Sequence, residues 1–210
     1  MIPRVVCCLL TLFSIAVAAE QADSKVSESV VRVECVGKLR HGQVAIGGET
    51  TGTTITFDGT TWELKLSTAE SRDQAEKLHK KPVTVTGTLR HVRGVEVPSR
   101  WIVDVEKLAE SDLEPKGDVK TESANIALVG VLKRQADQVD SSTGAAGASV
   151  TVGGITWRLD FGDNRELESK SKALDGKLVS AQGVFVRAEA SKQGGPMNVR
   201  VNSLGAASTK

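Results

Sequence analysis

The fold is decided by a stretch that reads Ile55-Thr56-Phe57-Asp58-Gly59-Thr60-Thr61-Trp62-Glu63-Leu64, and a second version of it runs from Val150 to Leu159. In both versions, apolar and polar residues alternate on either side of a two-residue turn, Asp-Gly in the first and Gly-Gly in the second. This pattern predicts a β-hairpin with a type I′ turn, because both central turn positions need a positive φ. The repeated hairpin indicates a duplicated β domain.

The duplication extends well beyond the hairpins. Val36 matches Val129 at a spacing of 93 residues, and Val83 matches Val179 at a spacing of 96 residues. The second copy therefore carries a few insertions, which we place in loops because a one-residue slip would turn every side chain of a strand to the other face. A period this long indicates two duplicated domains rather than a solenoid, whose repeats are shorter.

Each copy shows the same order of elements, namely three strands, one short helix and two strands. In the first copy the strands are predicted over about 31–40, the two arms of the hairpin, 82–90 and 101–108, with a helix over 71–79 that a Ser71-x-x-Gln74 capping box opens. This is the order of the OB-fold, a five-stranded, partly open barrel. We predict a mostly β chain of two tandem five-stranded OB-fold-like barrels, each with one short helix between strands 3 and 4.

Three short motifs stand at strand positions of the first copy: Gly37-x-Leu39 in the first strand, Lys81-x-Val83-x-Val85-x-Gly87 in the fourth, and the ending Val103-x-Val105-x-x-Leu108. Through these motifs the chain resembles the exported OB-fold proteins of bacteria. These are fold-forming positions, and no motif that carries chemistry accompanies them. The resemblance implies an OB-fold in an exported protein.

The ends and the middle of the chain differ in composition from the two copies. Residues 1–19 read as a signal peptide, with one arginine, an apolar run and small residues for cleavage. We predict domains over 26–109 and 122–204, a linker over 110–121 and a disordered tail over 205–210. No later stretch approaches the roughly 20 apolar residues of a membrane span, so we expect a periplasmic or extracellular bacterial protein with no transmembrane segment after signal removal.

Three large or reactive side chains are expected in the cores. Counting residues across each turn puts Trp62 and Trp157 on the apolar face of the hairpin, which favours a core position over a ligand platform. Cys35, the one cysteine left after removal of the signal peptide, aligns with Leu128. We expect a buried, inert thiol and no disulfide.

The opposite face of the hairpins argues against nucleic acid as a partner. It carries threonines, a serine and charges of both signs, and no aromatic residue: Thr54, Thr56, Thr61, Glu63, Lys65, Ser149, Thr151, Thr156, Arg158 and Asp160. OB-folds that bind single strands use stacked aromatic side chains in a positive groove. The net charge of +1 also predicts no strong field toward nucleic acid.

Candidate binding residues are few. The three histidines lack metal-ligand spacing, so neither a metal site nor a cofactor is expected. The densest basic patch lies near the helix end and the loop between strands four and five, where an anionic partner could dock, although solvated charge is the alternative. Our candidate ligand-binding residues are listed here: His41, Arg90, His91, Arg93 and Arg100.

The copies share an apolar skeleton, turns and glycines, and they share no reactive side chain. A duplicated active site would be expected to repeat its chemistry, so we expect a non-catalytic protein that binds a protein or glycan partner in the cell envelope. The alternative is a small periplasmic hydrolase or isomerase with a site between the domains, built around His41 or His91. A third possibility is an envelope-maintenance factor that binds charged small molecules.

Overall fold

The computed structural model describes residues 30–44, 50–112, 122–139, 146–187 and 197–207, with the backbone alone for 135–139 and for 146. The predicted signal peptide over 1–19 and most of the predicted linker over 110–121 lie outside the described residues. No helix in the described ranges is long and apolar enough to cross a membrane.

Within the described residues, the first half of the chain contains five strands and one helix, and the second half repeats that order. The first half consists of β1 (Val31–Arg40), β2 (Thr54–Phe57), β3 (Thr60–Lys65), α1 (Ala69–Lys77), β4 (Pro82–Val92) and β5 (Arg100–Glu110). The second half consists of β6 (Ser123–Val139), β7 (Ala146–Val152), β8 (Ile155–Asp160), α2 (Arg165–Ala173), β9 (Leu178–Val186) and β10 (Met197–Ala206).

The five strands of the first half close into a barrel. β1 pairs with β2, β2 with β3, β3 with β5, β5 with β4, and β4 returns to β1. All of these pairs are antiparallel except β3 with β5, which is parallel. Strands β6 to β10 show the same succession of pairings. The prediction of a mostly β chain with a five-stranded barrel is confirmed.

The hairpin has the predicted register. Ile55 faces Trp62 across the turn, and Asp58 and Gly59 have φ values of 42° and 69°, as a type I′ turn requires. Trp62 and the equivalent Trp157 are both fully buried. The prediction that both tryptophans belong to the core is therefore confirmed.

Several predicted boundaries are corrected. Helix α1 begins two residues earlier than the pattern suggested, because Thr68 is its N-cap and Ser71 occupies the third helical position of the capping box. The predicted box from Ser71 to Gln74 was wrong. Strand β5 includes Glu110, where we had placed the linker, and β10 runs through Gly205 and Ala206 into the predicted tail.

The two halves are joined by a strand pair and by shared packing. β1 and β6 run antiparallel, with Val31 opposite Leu128 at one end of the pair. The ring centroid of Phe185, from the second half, lies 5.5 Å from that of Trp62 in the first half. Likewise, the ring centroid of Trp101, from the first half, lies 5.8 Å from that of Trp157 in the second half. These aromatic contacts merge the two interiors into one apolar core.

Gly87 occupies a point where the barrel bends too sharply for a side chain. The register between β4 and β5 shifts at Thr86 and Gly87, and a Cβ on Gly87 would collide with the carbonyl oxygen of Asp104. We expect Gly87→Ala to destabilise the protein by about 1–3 kcal/mol, because the backbone must move apart. Thermal unfolding measures this effect, with Gly205→Ala as the matched control, since a Cβ there would meet nothing within 4 Å. Equal melting temperatures would contradict the prediction.

Candidate nucleic-acid interface

One tryptophan of the described residues reaches the surface, at the rim of the first barrel. The inward-facing row of β4 and β5 passes through the buried pair Leu89 and Val103, then continues to His91 opposite Trp101. Because that row runs past the end of the core, Trp101 is only half-buried. Its ring centroid lies 4.7 Å from that of His91, with the planes tilted by 42°. We call the rings of His91 and Trp101 the rim platform.

Three arginines lie next to the rim platform along the chain, and they differ in how far they are paired with acidic residues. Side chains alternate along a strand, so Arg90 and Arg100 project from the face of β4 and β5 opposite to His91 and Trp101. Arg100 opens β5 and is 8% exposed; its Nε and Nη2 donate to the two carboxylate oxygens of Glu63, at 2.7 Å each. Arg90 donates from Nε to Asp104 at 2.6 Å and remains 41% exposed. Arg93 follows β4 and is exposed. Arg93 can therefore offer positive charge at this rim, and the partly exposed Arg90 can do so from the opposite face of the sheet.

The ring of His91 favours its neutral form. Burial lowers the pKa of His91, and the positive charge of Arg93 lowers it further. The Nε2 atom of His91 lies 2.9 Å from the hydroxyl oxygen of Ser99. An uncharged ring beside Trp101 can pack against an apolar or aromatic ligand face without a large desolvation cost.

His41 lies on a different loop from the other predicted site residues. It follows β1, and its Nδ1 atom is 2.7 Å from the hydroxyl oxygen of the buried Thr53. Its backbone N–H donates to Nδ1 of His79, at 3.0 Å. The structure thus brings four of the five candidates together at the β4–β5 rim and places His41 on the β1–β2 loop. Their role in ligand binding stays a prediction.

Sequence reasoning overlooked Trp101. The search for stacking side chains considered only the outer hairpin face, which carries no aromatic residue, and only the two hairpin tryptophans. The signal was available, because Trp101 follows directly after Arg100 in the basic patch. What the sequence did not display was the length of β4, which reaches Val92 and thereby brings His91 opposite Trp101.

Glu63 gives this region a dependence on pH. Burial raises the pKa of Glu63, but hydrogen bonds from Arg100 and from the backbone N–H of Thr51 outweigh burial, so the net pKa is lowered from 4.5. A lowered pKa in the folded state means that the charged form stabilises the fold above the unfolded-state value and that this contribution is lost as the pH falls.

We therefore expect the difference in melting temperature between the wild-type protein and Glu63→Gln to be largest near neutral pH. It should shrink as the pH falls below about 5, where the carboxyl group of the unfolded chain begins to take up a proton. A series of thermal melts over this range measures the difference. A gap that stays constant at all pH values would contradict the assignment.

A second concavity lies over the seam between β1 and β6. This groove of about 500 Å³ is lined by equivalent residues of the two halves, such as Thr86 with Gln182 and Glu106 with Asn202. Its lining contains no aromatic side chain. It is therefore less suited than the rim platform to stacking against a flat ligand.

Cys35 is buried, as predicted. Burial raises the pKa of its thiol to about 12, with a smaller contribution from the charge of Glu34. A thiol that holds its proton so firmly is a poor nucleophile. Within the described part of the chain, no group of three or more histidine, cysteine or acidic side chains is arranged to hold a metal ion.

Comparison with solved structures identifies the barrel as an OB-fold of the kind found in single-stranded DNA-binding proteins. The chain is similar to the wild-type single-stranded DNA-binding protein from Thermus aquaticus, with a TM-score of 0.50 and 17% identity over 87% of this chain and 95% of that one. A deletion mutant of that protein matches with the same TM-score and identity over 86% and 95%. No family model matches the chain, and no curated protein matches it.

This likeness overturns the predicted function and partner. We had expected a protein or glycan ligand, or else a hydrolase or isomerase, and we had argued against nucleic acid. The solved structures that share the fold are instead proteins named for binding single-stranded DNA. In arguing against nucleic acid we considered stacking side chains on the outer hairpin face alone and did not include the rim platform.

The predicted location is corrected on the same ground. A periplasmic or extracellular protein was inferred from residues 1–19 and from the resemblance to exported OB-fold proteins. The likeness to a DNA-binding protein contradicts that inference. The segment on which it depended lies outside the described residues.

Proposed function

We propose that this protein binds single-stranded DNA and does so without catalysing a reaction. The observation that carries the proposal is the rim platform, where a half-buried Trp101 packs on His91, with the exposed Arg93 two residues further along the chain. Single strands expose the flat faces of their bases and a charged backbone, and aromatic rings next to arginines match both features. The likeness in fold to single-stranded DNA-binding proteins supports the same assignment.

We also propose that the second half is a second OB-fold barrel and that the chain arose by duplication. The order of elements and the succession of strand pairings support this. The helix between the third and fourth strands of each half supports it as well. A barrel of this type presents its second and third strands, with the loops after strands one and four, to oligonucleotides. The rim platform lies at the second of these loops.

Fluorescence anisotropy with a labelled oligothymidylate tests the function. We expect binding that weakens with added salt, because each phosphate contact releases counterions from the strand. A duplex of the same length serves as the control and should bind more weakly, since its bases are not free to stack. No binding at low salt, or equal affinity for strand and duplex, would overturn the proposal.

A further inference from the structure

Glu63 connects the two loops that border the candidate interface. Its carboxylate accepts two hydrogen bonds from Arg100, the first residue of β5. It also accepts a hydrogen bond from the backbone N–H of Thr51, in the β1–β2 loop, at 2.9 Å. The side chains of Glu63 and Arg100 are 14% and 8% exposed, so the pair is largely removed from water. We call this arrangement the Glu63 clamp.

The Glu63 clamp is connected to the β1–β2 loop on one side and to the start of β5 on the other. Thr51 donates from its hydroxyl to the carbonyl of Thr53, whose own hydroxyl lies against His41. On the other side, Arg100 immediately precedes Trp101, so fixing the start of β5 also fixes the backbone of the rim platform. Hydrogen bonds to charged, poorly solvated groups are among the stronger ones in proteins, so this tether restricts both loops.

The second half has a different residue at each matching position. Arg158 stands where Glu63 stands in the first half, and it is exposed. Met197 and Arg187 take the places of Trp101 and His91. The residues of the clamp and of the platform therefore occur together in the first half, and at the matching positions of the second half other residues replace them. Such joint divergence is expected if the clamp serves the platform.

We propose that Glu63 is a positioning residue for single-stranded DNA, which acts through Arg100 to hold Trp101 in its stacking position. The stacking contact of the DNA then belongs to the first half of the chain, on the rim platform. This inference rests on the proposed function. Arg100 itself makes no phosphate contact, because its guanidinium group is engaged side-on by the carboxylate of Glu63, and a phosphate would have to displace that partner.

The test compares Glu63→Gln and Glu63→Ala with the wild-type protein in oligothymidylate titrations at several salt concentrations. The amide oxygen of glutamine can still accept a hydrogen bond, whereas alanine accepts none. We expect affinity to fall in the order wild type, Glu63→Gln, Glu63→Ala. The last variant should bind about fivefold to 150-fold more weakly, the range expected when one stacked base is lost. The slope of affinity against salt should stay unchanged, because no phosphate contact is removed.

The indole N–H resonances of the three tryptophans distinguish a general loss of structure from a specific displacement of Trp101. Movement confined to Trp101 in the Glu63 variants supports the proposal, since Trp62 and Trp157 lie in the core. Glu106→Ala is the matched control, because its exposed carboxylate pairs with Arg32 at 3.5 Å, away from the rim. This variant should bind like the wild-type protein. Should Glu63→Ala fail to fold, the milder Glu63→Gln variant carries the test.

Two results would overturn the inference. Wild-type affinity in a folded Glu63→Gln variant with an undisturbed Trp101 resonance would show that the clamp does not position the platform. If Arg100→Gln lowers the slope of log affinity against log salt concentration by about one, Arg100 contacts a phosphate directly instead. Failure of the proposed function looks different, because the wild-type protein itself would then bind no single-stranded DNA.

Discussion

Replacing Trp157 with alanine is expected to lower the free energy of unfolding by about 3–5 kcal/mol, the cost of emptying a large buried aromatic site. Trp157 is fully buried in the second half, and it contacts Trp101 of the first half. Because the two interiors form one core, the loss should shift a single cooperative transition that involves both halves. Urea denaturation followed by circular dichroism measures the midpoint and the slope.

The control for this prediction is Trp157→Phe. The indole N–H of Trp157 has no hydrogen-bond acceptor in the described part of the structure, so a phenyl ring loses volume but no hydrogen bond. We expect a clearly smaller effect than with alanine. Two separate transitions, with the first half melting as in the wild-type protein, would show that the shared core does not couple the halves.

Replacing Trp101 with leucine is expected to weaken the binding of oligothymidylate by about fivefold to 150-fold, because one base–aromatic stack is worth about 1–3 kcal/mol. Leucine retains apolar contact with the second half but offers no flat face. Stability should change less than in Trp157→Ala, since Trp101 is only half-buried. Anisotropy titrations of both proteins at one salt concentration measure the loss.

Intrinsic fluorescence provides a second measurement of this prediction. Trp62 and Trp157 are fully buried, so quenching of wild-type emission by the added strand should come mainly from Trp101. That quenching should disappear in Trp101→Leu. Trp101→Phe is the matched control, and it should retain part of the affinity because it keeps an aromatic face. Unchanged affinity in Trp101→Leu would remove the rim platform from the interface.

Much of the fold could be predicted from the sequence, because short-range patterns determine it. The alternation around Asp58-Gly59 and Gly153-Gly154 fixes the hairpin register, and that register determines which tryptophans are buried. The helix start was misplaced because both Thr68 and Ser71 are good N-cap residues, and in the structure Thr68 is the N-cap while Ser71 completes the capping box. The pairing of β1 with β6 joins residues far apart in the sequence, so no local pattern predicts it.

The candidate site could be predicted only in part, for a related reason. A basic patch is visible in the sequence, and four of the five candidate residues lie near one rim. Their charge states and partners are decided by residues distant in the chain. Glu63 engages Arg100 from 37 positions away, and Asp104 engages Arg90 across the β4–β5 pair. The half-exposed position of Trp101 likewise depends on where β4 ends.

The most direct test of the account follows the three tryptophan indole N–H resonances while an oligothymidylate is added to the ¹⁵N-labelled protein. The resonances can be assigned with Trp101→Phe and Trp157→Phe, which leaves Trp62 by elimination. We predict a saturable shift of the Trp101 signal, with much smaller changes for the two buried tryptophans. Saturable binding that leaves the Trp101 signal in place, or no binding at all, would contradict the claim that this rim binds single-stranded DNA.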